Sequence, residues 1–238
     1  MKRAYRRVLL KLSGEALGGR AGEVVDAGTC GWLATEIGAL HRHGVQFAVV
    51  IGGGNLYRGA RNSDAALDRT TADTVGMLAT VMNSLLFQSH LEAAGVPAVT
   101  MSANAIEKAT ETYSPRAGRR HLESGRVVLV AGGTGNPFFT TDTAAALRCA
   151  ELQGEVLLKA TKVDGVYDRD PAVHRRAAKL ARLTYADALE RRLRVMDATA
   201  FSFCMEYAIP IVVFKLARGN LRQCIEGRPI GSIITGGA

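Results

Sequence analysis

Residues 131–142 have the sequence AGGTGNPFFTTD and join an apolar run at 127–130 to a helical pattern at 144–152. The apolar run predicts a buried strand. Glycine lets the backbone approach a ligand closely, and threonine and aspartate are favoured where a helix begins. A helix N-terminus also presents free N–H groups to an anion. The stretch therefore indicates either a binding loop for a phosphorylated ligand or a plain glycine-rich turn between a strand and a helix.

A second glycine-rich stretch, GGGN at 52–55, follows the apolar run at 46–51. It is neither a Walker loop nor the spaced dinucleotide-binding fingerprint. Arg58 follows closely and either binds an anion held there or covers the surface. Lys11 lies inside another apolar run, at 8–12. If it stands at the carboxyl end of a strand, where α/β proteins bind ligands, its ammonium group faces the ligand. The alternative is an exposed lysine on an edge strand.

Three further segments carry polar groups whose roles stay open. Asp73 lies in the first turns of a predicted helix at 68–95, where it is either an acid favoured by the helix dipole or an acceptor for ligand hydroxyls. The sequence TKVDGVYDRDP at 161–171 could bind a base and a ribose, or could serve turns alone. Asp197 is expected to cap a helix. The basic run at 172–194 is expected to be a solvated face.

Apolar runs that predict strands alternate along the chain with helical patterns. The strands are predicted at residues 8–12, 46–51, 96–101, 127–130, 156–160, 210–214 and 232–235. The helices are predicted at residues 28–43, 68–95, 144–152, 194–207 and 220–226. This alternation predicts an α/β fold with a mostly parallel central sheet that is covered by helices on both faces.

The composition narrows the class of protein. With 238 residues, 47% of them hydrophobic, the chain can form one large α/β domain or two small ones. The net charge of +8 favours acidic partners such as nucleotides, phosphates or nucleic acid. Nucleic acid is not expected, because aromatic residues make up only 6% and no basic block is interleaved with them.

The cysteines and the lengths of the apolar runs indicate the cellular compartment in which the protein is expected. Four widely separated cysteines form no C-x-x-C pair, so common zinc and redox motifs are absent from the sequence. Cysteines without evident partners fit a reducing compartment. No run has the length of a signal-peptide core or of a membrane span. We therefore expect a cytoplasmic protein that does not associate with a membrane.

Five motifs, in order along nearly the whole chain, resemble those of the bacterial UMP kinases, which belong to the amino acid kinase family. They are KLSGEAL at 11–17, GGGNLYRG at 52–59, and residues 77–83, 133–142 and 159–166. The resemblance implies a three-layer α/β/α sandwich, built as a single domain of residues 1–238 and typically assembled as a homohexamer. It also implies transfer of a phosphoryl group from ATP to UMP, with Mg²⁺, in pyrimidine nucleotide synthesis.

The resemblance also implies roles for individual residues. The residues implied for ATP binding are Lys11, Leu12, Ser13, Gly14, Gly54, Arg58, Thr161, Tyr167 and Asp170. The residues implied for UMP binding are Gly53, Asp73, Thr134, Gly135, Asn136, Pro137, Phe138, Phe139, Thr140 and Thr141. Lys11, Arg58 and Asp142 are implied to be catalytic, with Asp142 orienting Lys11 and the metal-bound phosphates. Mg²⁺ is expected to be held mainly through the phosphates of ATP.

The implied roles agree with the chemistry of phosphoryl transfer, which depends on positioning and charge stabilisation. Donor and acceptor are both anions, so Lys11, Arg58 and Mg²⁺ would supply the cations between them. The acceptor phosphate has a second pKa of about 6 and is largely a dianion at neutral pH. We therefore expect no general base, and we expect Asp142 to organise the site without accepting a proton.

Two alternatives stay open. A kinase of the same fold that acts on a small carboxylate or carbamate would not need Asp73 and the long loop at 134–141. A catalytically silent nucleotide sensor or nucleic-acid-binding regulator fits the positive net charge, but it has no need of Lys11, Arg58 and Asp142.

Nucleotide effectors are a further implication of the resemblance. UTP is a common inhibitor in the family and GTP an activator. The GTP site matches only in part, at residues 19–24, and the helix near 88–92 lacks the basic residues expected there. The resemblance therefore does not carry GTP activation over to this chain.

Overall fold

The computed structural model describes residues 3–19, 23–57, 67–193 and 195–237. The strands are β1 (Arg7–Leu12), β2 (Gln46–Ile51), β3 (Ala98–Ser102), β4 (Glu111–Thr112), β5 (Val127–Ala131), β6 (Val156–Thr161), β7 (Val166–Tyr167), β8 (Lys179–Leu180), β9 (Arg182–Thr184), β10 (Ile211–Lys215) and β11 (Ser232–Thr235). The helices are α1 (Gly14–Leu17), α2 (Ala27–Arg42), α3 (Arg69–Ala93), α4 (Pro115–Glu123), α5 (Thr141–Glu151), α6 (Tyr185–Glu190), α7 (Ala198–Glu206) and α8 (Asn220–Ile225).

Nine strands of the described residues form a central sheet of order β4-β3-β5-β2-β1-β6-β10-β11-β9. Neighbouring strands run parallel, apart from the antiparallel pair β10 and β11. β7 and β8 form a separate antiparallel pair. The predicted mostly parallel sheet is confirmed, with β1 at its centre between β2 and β6.

The sheet separates two hydrophobic cores. Leu10 and Leu12 of β1 pack with residues of α2, α3 and α8, whereas Leu9 packs with residues of α4, α5, α6 and α7. Side chains alternate between the two faces of a strand, so Lys11 lies on the same face as Leu9. Helices cover both faces, which confirms the three-layer α/β/α sandwich.

Two expectations about the second half of the chain need correction. The basic run at 172–194 is not simply a solvated face: it contains β8, β9 and α6, and Leu183 and Tyr185 are buried. Apolar residues spaced between the charges supply this burial. α7 begins later than predicted, because Asp197 caps it by accepting the N–H of Ala200 at 2.8 Å. The prediction that Asp197 is a cap is confirmed.

None of the helices in the described ranges combines the length and apolar character needed to cross a bilayer.

Candidate active site

A buried cluster of opposite charges lies near the carboxyl ends of β1 and β6. Lys11 Nζ lies 2.8 Å from Asp142 Oδ1. Lys159 Nζ lies 2.6 Å from Asp142 Oδ2. Each lysine is 7% exposed. One carboxylate therefore bridges two buried ammonium groups, and we call these three residues the charge cluster.

Sheet register and helix capping bring the charge cluster together. Lys11 and Lys159 are direct partners on neighbouring parallel strands, so their side chains leave the same face of the sheet. That face packs against α5. Thr140 caps α5 by accepting the N–H of Asp142 at 3.0 Å. Asp142 thus stands in the first turn of α5, where the helix dipole also favours a carboxylate.

Burial and the neighbouring charges both shift the pKa values of the groups in the charge cluster. Burial alone would raise the pKa of Asp142, but Lys11 and Lys159 outweigh this effect and hold the pKa below its ordinary value. Burial lowers the pKa of Lys159 to about 8; Asp142 opposes this shift and Lys11 adds to it. Lys159 also donates to the backbone carbonyl of Val195. With two ammonium groups and one carboxylate, the charge cluster is suited to hold an anion.

The glycine-rich loop at 131–140 is fastened to α3. Thr80 Oγ1 accepts the N–H of Gly132 at 2.8 Å. Asp73 Oδ2 accepts the N–H of Phe138 at 2.8 Å. Phe138 has a φ of +70°, a backbone conformation that non-glycine residues seldom adopt. The two bonds therefore hold the loop in a shape that its own backbone would not favour.

The end of the loop is fastened to α7. The hydroxyl of Thr140 donates to Asp197, and the hydroxyl of Thr143 donates to the same carboxylate at 3.0 Å. Asp197 thus caps α7 and ties the beginning of α5 to it. These contacts place Asp197 beside the charge cluster. Asp197 therefore does more than cap a helix, which is the only role that the sequence predicts for it.

A cavity of about 380 Å³ opens between the glycine-rich loop and α3. We call it the loop cavity. Seven residues assigned to UMP line it: Gly53, Asp73, Thr134, Asn136, Phe139, Thr140 and Thr141. Gly135, Pro137 and Phe138 are not among its lining residues. Phe138 is 67% exposed, and the guanidinium of Arg69 lies 5.7 Å from its ring. The structure therefore brings most of the assigned acceptor residues to one place.

The second glycine-rich stretch, at 52–55, is held by a buried amide of α3. Asn83 Nδ2 donates to the carbonyl of Gly52 at 2.8 Å and to Asn55 Oδ1 at 2.7 Å. Gly14 packs directly against this stretch. A Cβ atom at Gly14 would lie 2.2 Å from Asn55 Oδ1 and 2.4 Å from the Gly52 carbonyl oxygen, so only glycine fits. The stretch, which contains Gly54, is thereby held close to the end of β1.

The residues assigned to ATP are brought together only in part. The side chain of Leu12 is buried in the core, which leaves only its backbone for a ligand. Ser13 caps α1 by accepting the N–H of Ala16. Tyr167 and Asp170 line a cavity of about 430 Å³, which we call the hairpin cavity. Thr161 lines a different cavity, next to Lys162 and Lys215.

One assigned residue cannot be placed. Arg58 lies outside the described residues. Its assigned roles in ATP binding and catalysis stay predictions.

Lys159 is the main site residue that the sequence reasoning missed, although a signal was present. Like Lys11, it interrupts an apolar strand, in LLKA at 157–160. The argument applied to Lys11 would have applied to it equally. The contacts of Asp197 with threonines 54 and 57 residues away had no comparable local signal.

Comparison with known proteins identifies the family of this chain. The model of the amino acid kinase family matches residues 6–215. The chain belongs to the amino acid kinase family. A UMP kinase from Bacillus anthracis has a similar structure, with a TM-score of 0.94 and 33% identity over 99% of this chain and 98% of that chain. A UMP kinase from Ureaplasma parvum has a TM-score of 0.91 and 32% identity, over 99% of this chain and 100% of that chain. A uridylate kinase from Archaeoglobus fulgidus has a TM-score of 0.76 and 25% identity, over 96% of this chain and 99% of that chain. The family resemblance of the motifs is confirmed.

Proposed function

We propose that this chain transfers the γ-phosphoryl group of ATP to UMP, giving UDP and ADP, as a step of pyrimidine nucleotide synthesis. The observation that carries the proposal is the position of the charge cluster between two cavities. Thr141, next to Asp142, lines the loop cavity, and Val195, which accepts from Lys159, lines the hairpin cavity. The similarity to two UMP kinases over nearly the full length of each chain supports the choice of acceptor.

The proposed mechanism rests on positive charge between two anionic substrates. UMP occupies the loop cavity, ATP binds toward the hairpin cavity, and Lys11 and Lys159 face the phosphoryl group in transit. Asp142 holds both ammonium groups in place before the substrates arrive, so little reorganisation is needed when charge develops. The acceptor is a phosphate dianion, which attacks without losing a proton to the protein.

The proposal includes Mg²⁺, which binds together with ATP. Magnesium is usually held by one or two carboxylates together with substrate phosphates. In the described ranges, no group of three or more His, Cys, Asp or Glu side chains is arranged to hold a metal ion. Both oxygens of Asp142 already contact lysines. Because both lysines already engage Asp142, we propose that the ATP phosphates hold the ion, which would neutralise charge on the donor.

The pH dependence of turnover follows from the lowered pKa of Lys159. We expect kcat/KM for ATP to fall as the pH rises through about 8, because Lys159 then loses the charge that attracts the phosphates. The fall in kcat should come at higher pH, since bound phosphates favour the ammonium form. Lys159→Met should lower kcat/KM and abolish this fall. A wild-type kcat/KM profile that stays flat to pH 9.5 would contradict the assignment.

The function is tested by measuring ADP release from ATP and Mg²⁺ with a panel of acceptors. UMP, CMP, dUMP, aspartate and glutamate would be compared at equal concentration. We expect turnover that is selective for UMP. Turnover with a carboxylate alone would overturn the substrate, and salt-sensitive DNA binding without turnover would favour a regulator.

We also propose self-association, with the homohexamer as the expected assembly. α3 carries an exposed apolar stripe: Leu78 is 48% exposed, Met82 52% and Leu86 38%. Residues spaced by four lie on one face of a helix, so the three side chains form a continuous surface. Such a surface suits packing against a second copy.

Met82→Glu is expected to reduce the mass of the assembly, because a charge would be buried in an apolar contact. Light scattering after gel filtration measures this mass. Met205→Glu is the matched control, since Met205 is also exposed, at 46%, but on α7. A Met82→Glu protein with the mass of the wild type would show that the stripe is not the contact.

Location and effectors remain proposals. The free cysteines Cys30, Cys149, Cys204 and Cys224 are buried, which is compatible with the proposed cytoplasmic location. We expect UTP to inhibit, and we do not extend GTP activation to this chain. Part of the segment that matches the family's GTP site, residues 20–22, lies outside the described residues.

A further inference from the structure

Lys215 is an exposed lysine at the carboxyl end of β10, where it follows four buried residues. Together with Lys162 and Arg218 it lines a cavity of about 470 Å³, the one that Thr161 also lines. We call it the basic cavity. The proposed mechanism uses none of these three cations.

The three cations of the basic cavity differ in their partners. Lys162 Nζ lies 3.9 Å from Glu15 Oε2. The guanidinium of Arg218 lies 5.7 Å from the centroid of the Trp32 ring. Among the described residues, the ammonium group of Lys215 has no acidic partner. Lys215 is therefore the cation of this cavity whose charge is most available to a ligand.

Sheet register places Lys215 beside the charge cluster. Val213 of β10 pairs with Lys159 of β6, and two residues further along Lys215 pairs with Thr161. Side chains two residues apart on a strand leave the same face, so Lys215 lies on the face that carries Lys11 and Lys159. With neighbouring strands about 4.8 Å apart and a rise of about 3.3 Å per residue, the Cα atoms of Lys215 and Lys159 are roughly 8 Å apart. The flexible four-carbon stem of Lys215 can therefore reach a ligand bound at the charge cluster.

The order of the strands indicates which part of the donor lies above β10. The order in this region is β5-β2-β1-β6-β10. The glycine-rich loop, which lines the proposed acceptor cavity, follows β5, whereas Lys11 and Lys159 lie on β1 and β6. In phosphoryl transfer the attacking and leaving oxygens are roughly in line with the transferred group. The part of the donor that leaves as ADP therefore extends away from β5, toward β10 and Lys215.

The hairpin cavity, toward which ATP is proposed to bind, lies on this side of the sheet. Val166 and Tyr167 line the cavity, and the N–H of Val166 donates to Ser232 Oγ at 2.8 Å. Ser232 belongs to β11, the neighbour of β10. With adenosine in the hairpin cavity and the γ-phosphoryl group at the charge cluster, the α- and β-phosphates lie between them, near the end of β10.

We propose that Lys215 is a donor-binding residue whose ammonium group contacts the α- and β-phosphates of the nucleoside triphosphate, the two phosphates that are not transferred. This inference rests on the proposed function and adds a residue outside the five motifs. Phosphate oxygens accept charge-assisted hydrogen bonds, and an ammonium group offers three donors. Because these phosphates occur in both ATP and ADP, Lys215 binds the substrate and the product alike.

The test separates binding of the two phosphates from binding of the nucleoside. Lys215→Met removes the charge and keeps most of the bulk. We expect it to raise the KM for ATP and the Kd for ADP by ~10-fold, the scale for one hydrogen bond involving a charged group. The Kd for adenosine and the KM for UMP should stay within about twofold, as for a change away from their contacts. Steady-state kinetics and calorimetry measure these constants.

Two further readouts distinguish a contact with the donor from damage to the fold. The KM for ATP should change more than kcat, because the contact is the same before and during transfer. Lys215→Arg keeps the positive charge and should retain most of the affinity for ADP.

Arg218→Met is the matched control. Arg218 is also exposed and lines the basic cavity, but it lies over Trp32, which packs on the opposite face of the sheet from Lys11. We expect it to change the Kd for ADP by less than about twofold. A wild-type protein that neither turns over ATP with UMP nor binds ADP would overturn the proposed function together with this inference. Given wild-type turnover, an unchanged Kd for ADP in Lys215→Met, an equal loss for adenosine, or an equal loss in Arg218→Met would overturn this inference alone.

Discussion

Lys11→Ala is expected to lower kcat by ~10²–10³-fold, comparable with the loss of one donor from an oxyanion hole. Lys11 contributes one of the two buried ammonium groups that face the proposed phosphoryl group in transit. The effect should be on turnover more than on folding, because Asp142 keeps Lys159 as a partner at 2.6 Å. Steady-state kinetics with UMP and ATP measure the loss, and the melting temperature checks the fold.

Lys108→Ala is the control for the loss of a lysine as such. Lys108 is exposed and lies in the segment between β3 and β4. Its removal should change kcat by less than about twofold, as is usual for surface positions away from a site. If Lys11→Ala retained the wild-type kcat/KM, the assignment of Lys11 to the transition state would be refuted.

Asp142→Asn is expected to lower both turnover and stability. The amide can accept from one lysine, but its NH₂ group would face the other ammonium. Removing one partner of a buried ion pair typically costs ~3–5 kcal/mol. For a chain of this size that corresponds to a fall in Tm of roughly 6–20 °C. We expect kcat to fall by about 10²-fold, the scale for a lost preorganised charge. The pH profile should gain no basic limb besides the one expected from Lys159, which should move to lower pH because Asp142 raises the pKa of Lys159. Kinetics and thermal unfolding measure the two effects on one sample.

The double variant Asp142→Asn with Lys159→Met separates stability from chemistry. It removes the ammonium group that Asp142→Asn leaves uncompensated. Much of the lost Tm should return, whereas kcat should stay low because both charges are gone. Since the two residues are in contact, their effects should be clearly non-additive. An Asp142→Asn protein with normal kcat would refute the view that this carboxylate organises the site.

Local sequence patterns predicted most of the strands and helices of the fold. Apolar runs locate β1, β2, β5 and β6, because burial on both faces of a parallel sheet requires largely apolar strands. Spacing of apolar residues at helical intervals located α3, which spans Arg69–Ala93 against the predicted 68–95. These features depend on neighbours within a few residues, so no tertiary information was needed.

Local patterns were weaker where burial depends on distant partners. Within 172–194 basic residues outnumber acidic ones, and this charge pattern did not reveal that Leu183 and Tyr185 are buried. Thr161 and Tyr167 are six residues apart and share one motif, yet they line different cavities. The chain turns between these two residues, and the amino-acid composition of the motif does not predict the direction of that turn.

The amino acids themselves predict the family, the α/β class and the two glycine-rich stretches, and they point to Lys11 and Asp142 as candidate site residues. What required the folded chain is the pairing of groups far apart in sequence. Lys11 meets Lys159 only because β1 and β6 align in one register. Arg148 reaches Gly133 only because α5 lies back along the loop that precedes it. Strand register and helix packing are set by the total burial of both cores, a property of the whole fold and of no single segment.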